Sequence, residues 1–386
     1  MEPFDLYSPA IDADPFPYYA VLREKYPCYW SEGARLWILS RYDDIVEAAR
    51  DWQTFSSSHG NMIDELPGRA GATLGTTDPP RHDRLRALSQ AAFLRRNLDR
   101  LIEPTLEIAD RALDRIVARG TFEFVDDFSS QITVGLLFRT MGLPQRDHAE
   151  IRRKAILAVS TDKAAKGRTP EHIAAFEGLR EFLTAEVAVR RANPTDDLIT
   201  HLAEAEIDGD RLSDREIIGF LFLMVVAGNE TTTKLLGNAL YWLWRNPAQR
   251  DRLRAEPGLV ARWVEETLRY DNSTQALARV VAADLELHGQ KLREGERVVL
   301  LVGSANRDER VFADPERYDL ARDTSASLAF GQGVHFCLGA SLARLEGRVA
   351  LEELWKRIPD YEIDPAGLVR VHSVNVRGFA ALPMGF

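Results

Sequence analysis

The chain has 386 residues, 45% of them hydrophobic and 28% charged, and carries a net charge of −10. This is an ordinary globular composition, long enough to bury a sizeable core and a cofactor, and its acidity argues against a general nucleic-acid binder. Pro3, Pro9, Pro15 and Pro17 break the N-terminal segment, and the longest apolar stretch, 217–227, is too short to span a bilayer. Neither a signal peptide nor a membrane anchor is read, so a cytoplasmic location is expected. No linker, repeat or like-charge block divides residues 1–386, which read as one domain.

In chain order, apolar residues recur at three- and four-residue spacing over 18–25, 43–51, 81–94, 98–119, 128–141, 149–159 and 172–190. Each recurrence marks an amphipathic helix. The longest helix starts at Ser213, where Ser213 and Glu216 fit a capping box, and meets no breaker but glycine until Asn246-Pro247. Its stretch 217–227 is apolar all round, the pattern of a buried helix. Strand-like runs are fewer: 36–39, 278–281, 297–302 and parts of the C-terminal end. The balance predicts a mainly α fold with small β-sheets (α+β).

Only two cysteines occur, Cys28 and Cys337, with no CxxC spacing and no disulfide framework. Cys337 stands out by its surroundings. Gly331 and Gly333 precede it, Gly339 follows it, and a helical pattern starts beyond. Glycine permits positive φ and close approach of backbone to a flat ligand. At a loop-to-helix junction, free N–H groups and the helix dipole favour a negative sulfur, so a lowered thiol pKa is expected. Such a thiolate can ligate heme iron. An inert buried cysteine, a nucleophile paired with His335 and a zinc ligand are the other readings of a lone cysteine, zinc being the weakest for want of partner ligands.

The segment Phe330-Gly331-Gln332-Gly333-Val334-His335-Phe336-Cys337-Leu338-Gly339 resembles the heme-binding loop FGxGxHxCxG of the cytochrome P450 family, with every fixed position met. The resemblance implies heme b (iron protoporphyrin IX) with Cys337 as the axial iron ligand, and Phe330, Gly339 and Ala227 against the cofactor. It implies a P450-like fold with the long helix over the heme. Ala227-Gly228-Asn229-Glu230-Thr231-Thr232 resembles the family's oxygen-activation segment. Thr231 is then the hydroxyl beside dioxygen and Glu230 the proton source, with Gly228 permitting a local widening of the helix. Two humbler roles compete: Glu230 can pair with Lys234 one turn on, and Thr231 can bond its own backbone.

Further motifs follow in the family's order. Glu266 and Arg269 match ExxR, a buried structural pair, with Arg317 as its third member and Arg322 as the alternative. His82, Arg86, Arg279 and His335 match the family's propionate ligands, for which cationic donors are suited. The substrate pocket is expected from 52–77, from 163–170, from the long helix at Leu223, Val226 and Ala227, from 272–278 with Gln275 and Ala276, and from 373–379. Arg69, His59 and Gln275 are the polar groups that could anchor a ligand. Arg84, Arg95, Arg96, Arg344 and Arg348 form a basic patch expected to meet an acidic ferredoxin. The implied activity is O2-dependent insertion of oxygen into a hydrophobic small molecule by hydroxylation, dealkylation or epoxidation. Electrons come from a separate ferredoxin and an NAD(P)H-dependent ferredoxin reductase. A peroxide-driven peroxygenase and a non-catalytic heme-binding sensor are the alternatives; the Glu230-Thr231 pair argues against both.

Overall fold

The computed structural model describes residues 4–90, 98–162 and 164–386. Arg95, Arg96, Lys163 and the last residues of the helix predicted over 81–94 lie outside them. The long helix runs Asp214–Arg245. Its start is built as the capping pattern requires: Glu216 N–H donates to Ser213 Oγ at 3.3 Å, and Ser213 N–H donates to Glu216 Oε2 at 2.9 Å. It stops at Asn246, because a residue before proline is pushed out of helical geometry. Thirty-two residues at about 1.5 Å each span about 48 Å.

That length lets one helix serve two cores. Its first half packs Ile217, Phe220, Leu221 and Val225 among Phe176, Leu179 and Leu183 of the Pro170–Ala192 helix and Ile151 and Ala155 of the His148–Val159 helix. Its second half packs Leu235, Leu236, Ala239 and Leu240 against Trp263 of the Val260–Tyr270 helix and Leu351 and Leu354 of the Ala340–Arg357 helix. The change-over between these clusters falls at residues 227–231, where the helix borders a cavity.

A third core lies on a five-stranded sheet. Its order is Cys28–Ser31, Leu36–Leu39, Arg297–Leu300, Leu277–Val281, Phe55–Ser56. Leu36–Leu39 pairs in parallel with Arg297–Leu300 and the other neighbours are antiparallel. All four residues of Leu36–Leu39 are buried, as in a strand covered on both faces. Arg279 stands opposite Val298, held in the middle of the sheet.

The helices predicted from periodicity are present, as Phe16–Lys25, Tyr42–Arg50, Arg81–Gln90, Ile102–Val117 and Ser130–Met141 among others. Some details differ. The strand predicted over 297–302 ends at Leu300, and Val302–Ala305 turns into a short helix. A π turn, Val125–Ser129, leads into Ser130–Met141. Cys28–Ser31 and Phe55–Ser56 are strands too short to show an alternating pattern. Among the described residues no helix is long and apolar enough to cross a membrane.

Candidate active site

The cysteine loop folds as a tight return. Cys337 N–H donates to Phe330 O at 2.9 Å and Gly331 N–H to Leu328 O at 2.8 Å. Gly331 and Gly333 take φ of +73° and +70°. A Cβ on Gly333 would lie 2.5 Å from Ala49 O, so only glycine lets the loop lie against the Tyr42–Arg50 helix. Cys337 therefore projects into a cavity of about 300 Å³, its exposed surface forming part of the wall. The expectation of a lowered thiol pKa is corrected. Burial pushes the Cys337 thiol up, outweighing the Gly339 N–H and the charges of Arg86 and Arg344.

Four basic side chains line the same cavity: His82, Arg86, Arg279 and His335. The Arg81–Gln90 helix carries the first two at i and i+4. Arg86 ties that helix to the cysteine loop by donating to Val334 O at 3.2 Å and Phe336 O at 2.8 Å. The His82 and His335 rings meet edge to face with centroids 4.7 Å apart. Asp78 holds His335 at 3.4 Å and is itself held by Ser56 and Ser57. Burial draws the His335 pKa down, and Arg279 and His82 add to that while Asp78 opposes it. Arg279 is buried, donates only to Ala278 O at 2.7 Å, and is pulled down to about 10 by desolvation. Among the described residues neither Arg86 nor Arg279 has an ion-pair partner, and His82 Nε2 is buried without a hydrogen bond. Buried cations without counter-charges are costly unless an anion completes the site.

The long helix also lines the cavity, with Leu223, Ala227, Gly228, Thr231 and Thr232. The helix stays α-helical through Gly228, so the anticipated widening is absent; a Cβ there would meet nothing within 4 Å, and the glycine keeps space open. Thr231 donates its hydroxyl to Ala227 O at 2.5 Å, and its carbonyl accepts from Ser273 Oγ at 2.6 Å. Glu230 is not in the cavity wall. Its Oε2 lies 3.0 Å from Lys234 Nζ, both side chains are buried, and Oε1 is left without a partner.

Other expectations fail because irregular segments turn their side chains by long-range packing. Val226 packs with Met62, Val159 and Val376 instead of facing the cavity. Gln275 is buried behind the wall, with Nε2 on Asn272 O at 2.6 Å and Oε1 packed at Gly303, while Ala276 joins the sheet core. Ser273, Thr274 and Leu277 line the cavity from that segment. His59 is exposed and Arg69 lies outside the wall. Asn61 comes from the expected range 52–77, whereas Ile45, Leu268 and Glu346 are among the lining residues that escaped sequence reading. Glu346 sits on the face of its helix shared with Leu342 and Ala343; that spacing was the available signal. Burial pushes its carboxyl up to about 8 against a hydrogen bond from Thr232.

A cavity lined by one cysteine, by two arginines without anionic partners among the described residues and by Thr231 of the long helix agrees with the comparisons. The cytochrome P450 family model matches residues 167–358. A putative cytochrome P450 123 of Mycobacterium tuberculosis is 43% identical, covering 98% of this chain and 96% of the relative. The chain belongs to the cytochrome P450 family. It is 33% identical to the vitamin D(3) 25-hydroxylase of Pseudonocardia autotrophica over 99% of this chain and 96% of that one. The crystal structure of CYP109E1 from Bacillus megaterium with testosterone superposes with a TM-score of 0.89 at 32% identity, covering 96% and 97% of the two chains. The protein is a cytochrome P450 monooxygenase of mainly α fold with small sheets.

In this P450 the ExxR pair is bidentate and buried: Arg269 Nε and Nη2 donate to the two Glu266 oxygens at 2.8 Å each. Its third member is Arg322, whose Nε lies 3.4 Å from Glu266 Oε1. Arg317 is not. The turn at Asp314, with φ of +46°, sends its side chain outward to Asp319 at 3.2 Å, leaving only its carbonyl to accept from Arg269 and Arg322. The basic patch is neutralised where it is described. Arg84 bridges Asp210 and Glu216, Arg344 meets Glu265 at 2.6 Å and Arg348 meets Glu352 at 3.1 Å.

Proposed function

We propose that this P450 binds heme b in the cavity, with Cys337 on the iron and the propionates on His82, Arg86, Arg279 and His335. The observation that carries this is the pair Arg86 and Arg279, which have no anionic partner among the described residues and line the cavity together with Cys337. Arg86 and Arg279 are shaped for carboxylates, and the unpaired His82 Nε2 supplies one more polar atom. Phe330 and Gly339 border the cofactor from the loop and Ala227 from the long helix, with Gly228 leaving room beside it. When bound, a thiolate-ligated heme supplies O–O cleavage and oxygen insertion.

The chain's own residues then divide the remaining work. Leu223, Ala227, Phe220 and Leu74 exclude water and accept a hydrophobic small molecule. Thr231 holds a hydroxyl at the wall, and the buried carboxylate of Glu230, next to it in the chain and paired with Lys234, is the proton source assigned to it. Electrons come from a ferredoxin served by an NAD(P)H-dependent reductase. Phe336, next to Cys337 and 41% exposed, offers an apolar contact for that partner.

The test is the absorption spectrum of the reduced, carbon monoxide-bound protein. Wild type shows the red-shifted band of a thiolate-ligated heme. Persistence of that band in Cys337→Ala refutes the ligand assignment. Thr231→Ala should then consume reductant without matching product, and undiminished coupling refutes the role of Thr231.

A further inference from the structure

We propose that Asn61 is a specificity-determining hydrogen-bond donor, and that this P450 selects substrates carrying an acceptor oxygen, such as a ketone, lactone or hydroxyl, at a set distance from the oxidised carbon. This deepens the reading of the cavity as a heme and substrate site and rests on it.

Asn61 borders the cavity, and its amide is oriented from behind. Arg69, 5% exposed, donates from Nη2 to Asn61 Oδ1 at 2.6 Å. A guanidinium has no acceptor, so the amide oxygen must face Arg69 and the NH2 must face the other way. Arg69 is in turn fixed by Glu65 through Nε and through Nη2 at 2.6 Å. Glu65 Oε2 also accepts from the N–H groups of Asn61 at 3.0 Å and Met62 at 3.2 Å. Asn61 O accepts from Ala278 N–H at 2.9 Å, tying the loop to the strand that carries Arg279. Every other polar group of Asn61 is thus engaged, whereas Nδ2 has no partner among the described residues. Space for Nδ2 is kept by Gly75, also on the wall, where a Cβ would lie 3.0 Å from it.

A buried ion pair of Arg69 and Glu65 would hold the loop without the amide. The added contact to Oδ1 fixes a two-proton donor in a cavity whose lining also includes the apolar Leu74, Phe220 and Leu223. A ligand that covers Nδ2 without offering an acceptor strands a desolvated donor, so discrimination against the deoxygenated analogue follows.

The experiment uses the heme-loaded protein and probes that anchor themselves on the iron. These are ω-imidazolyl methyl ketones of increasing chain length, each matched with the alkylimidazole of equal length. Binding is read from the red shift of the heme absorption. At the chain length that reaches Asn61, the ketone should bind wild type about 5- to 10-fold tighter than its hydrocarbon partner. Asn61→Leu should bring that ratio close to one. Asn61→Asp, which keeps an oxygen for Arg69 but loses the donor, should do the same. The carbon monoxide spectrum of each variant certifies a loaded, folded protein. No ketone advantage at any length, or an advantage that survives both substitutions, overturns the proposal. Absence of a red shift with every imidazole, alkylimidazoles included, overturns the heme reading itself and the proposal with it.

Discussion

Arg279→Leu is predicted to act with opposite signs on the two forms of the protein. In the chain without heme, burial lowers the Arg279 pKa from the ordinary guanidinium value to about 10. A pKa gap of about 2.5 at about 1.36 kcal/mol per unit means that the charged guanidinium costs about 3 kcal/mol. The sign follows from proton counts. The folded form binds its proton less well than the unfolded chain, so the cost is full below pH 10 and is relieved only as pH rises above 10 toward the ordinary guanidinium range. At pH 7 the leucine variant sheds that cost and loses one hydrogen bond to Ala278 O, worth about 1 kcal/mol. The apoprotein should therefore gain about 2 kcal/mol. The heme-loaded protein should instead lose a charge-assisted contact worth about 1.5–3 kcal/mol, or about 10- to 150-fold in heme retention. Urea unfolding of the apoprotein, followed by tryptophan fluorescence, measures the first effect. Heme transfer to apomyoglobin measures the second. An apoprotein made less stable by Arg279→Leu, with heme retention unchanged, refutes the view that this cation is stored for an anionic ligand.

Arg322→Ala should lower stability by about 2–4 kcal/mol, because it strips a partner from the buried Glu266, whereas Arg317→Ala should stay within about 0.5 kcal/mol; thermal melts of the two variants rank them. Glu346 should make stability fall as pH rises from 5 to 8. Its folded pKa of about 8 against an ordinary 4.5 means that the fold keeps a proton the unfolded chain releases. Glu346→Gln should remove that slope, so its stability relative to wild type should improve by about 3–4 kcal/mol between urea titrations at those two pH values. Gly333→Ala should cost about 2–4 kcal/mol and most of the bound heme, since it places a Cβ 2.5 Å from Ala49 O at a φ of +70°; heme content per purified chain reads the loss.

What the amino-acid order determined by itself is local in origin. The capping pair Ser213 and Glu216, the apolar repeat behind them and the proline after Asn246 set the long helix, because helix boundaries depend on residues within a turn of one another. The glycine frame around Cys337 likewise set a loop entering a helix, because positive φ at Gly331 and Gly333 is a property of those residues alone. Only tertiary structure decided which side chains meet in the cavity. Helical spacing put Leu223, Ala227 and Thr231 on one wall, but the packing of neighbouring elements turned Val226 and Glu230 away. In irregular segments no period exists to read, so Thr274 faces the cavity where Gln275 was expected, and Arg322 reaches Glu266 where Arg317 was expected. Charge state was decided at the same level. Desolvation comes from atoms distant in the chain, and it raised the Cys337 thiol that its own loop was expected to lower, just as it raised Glu346 and lowered Arg279.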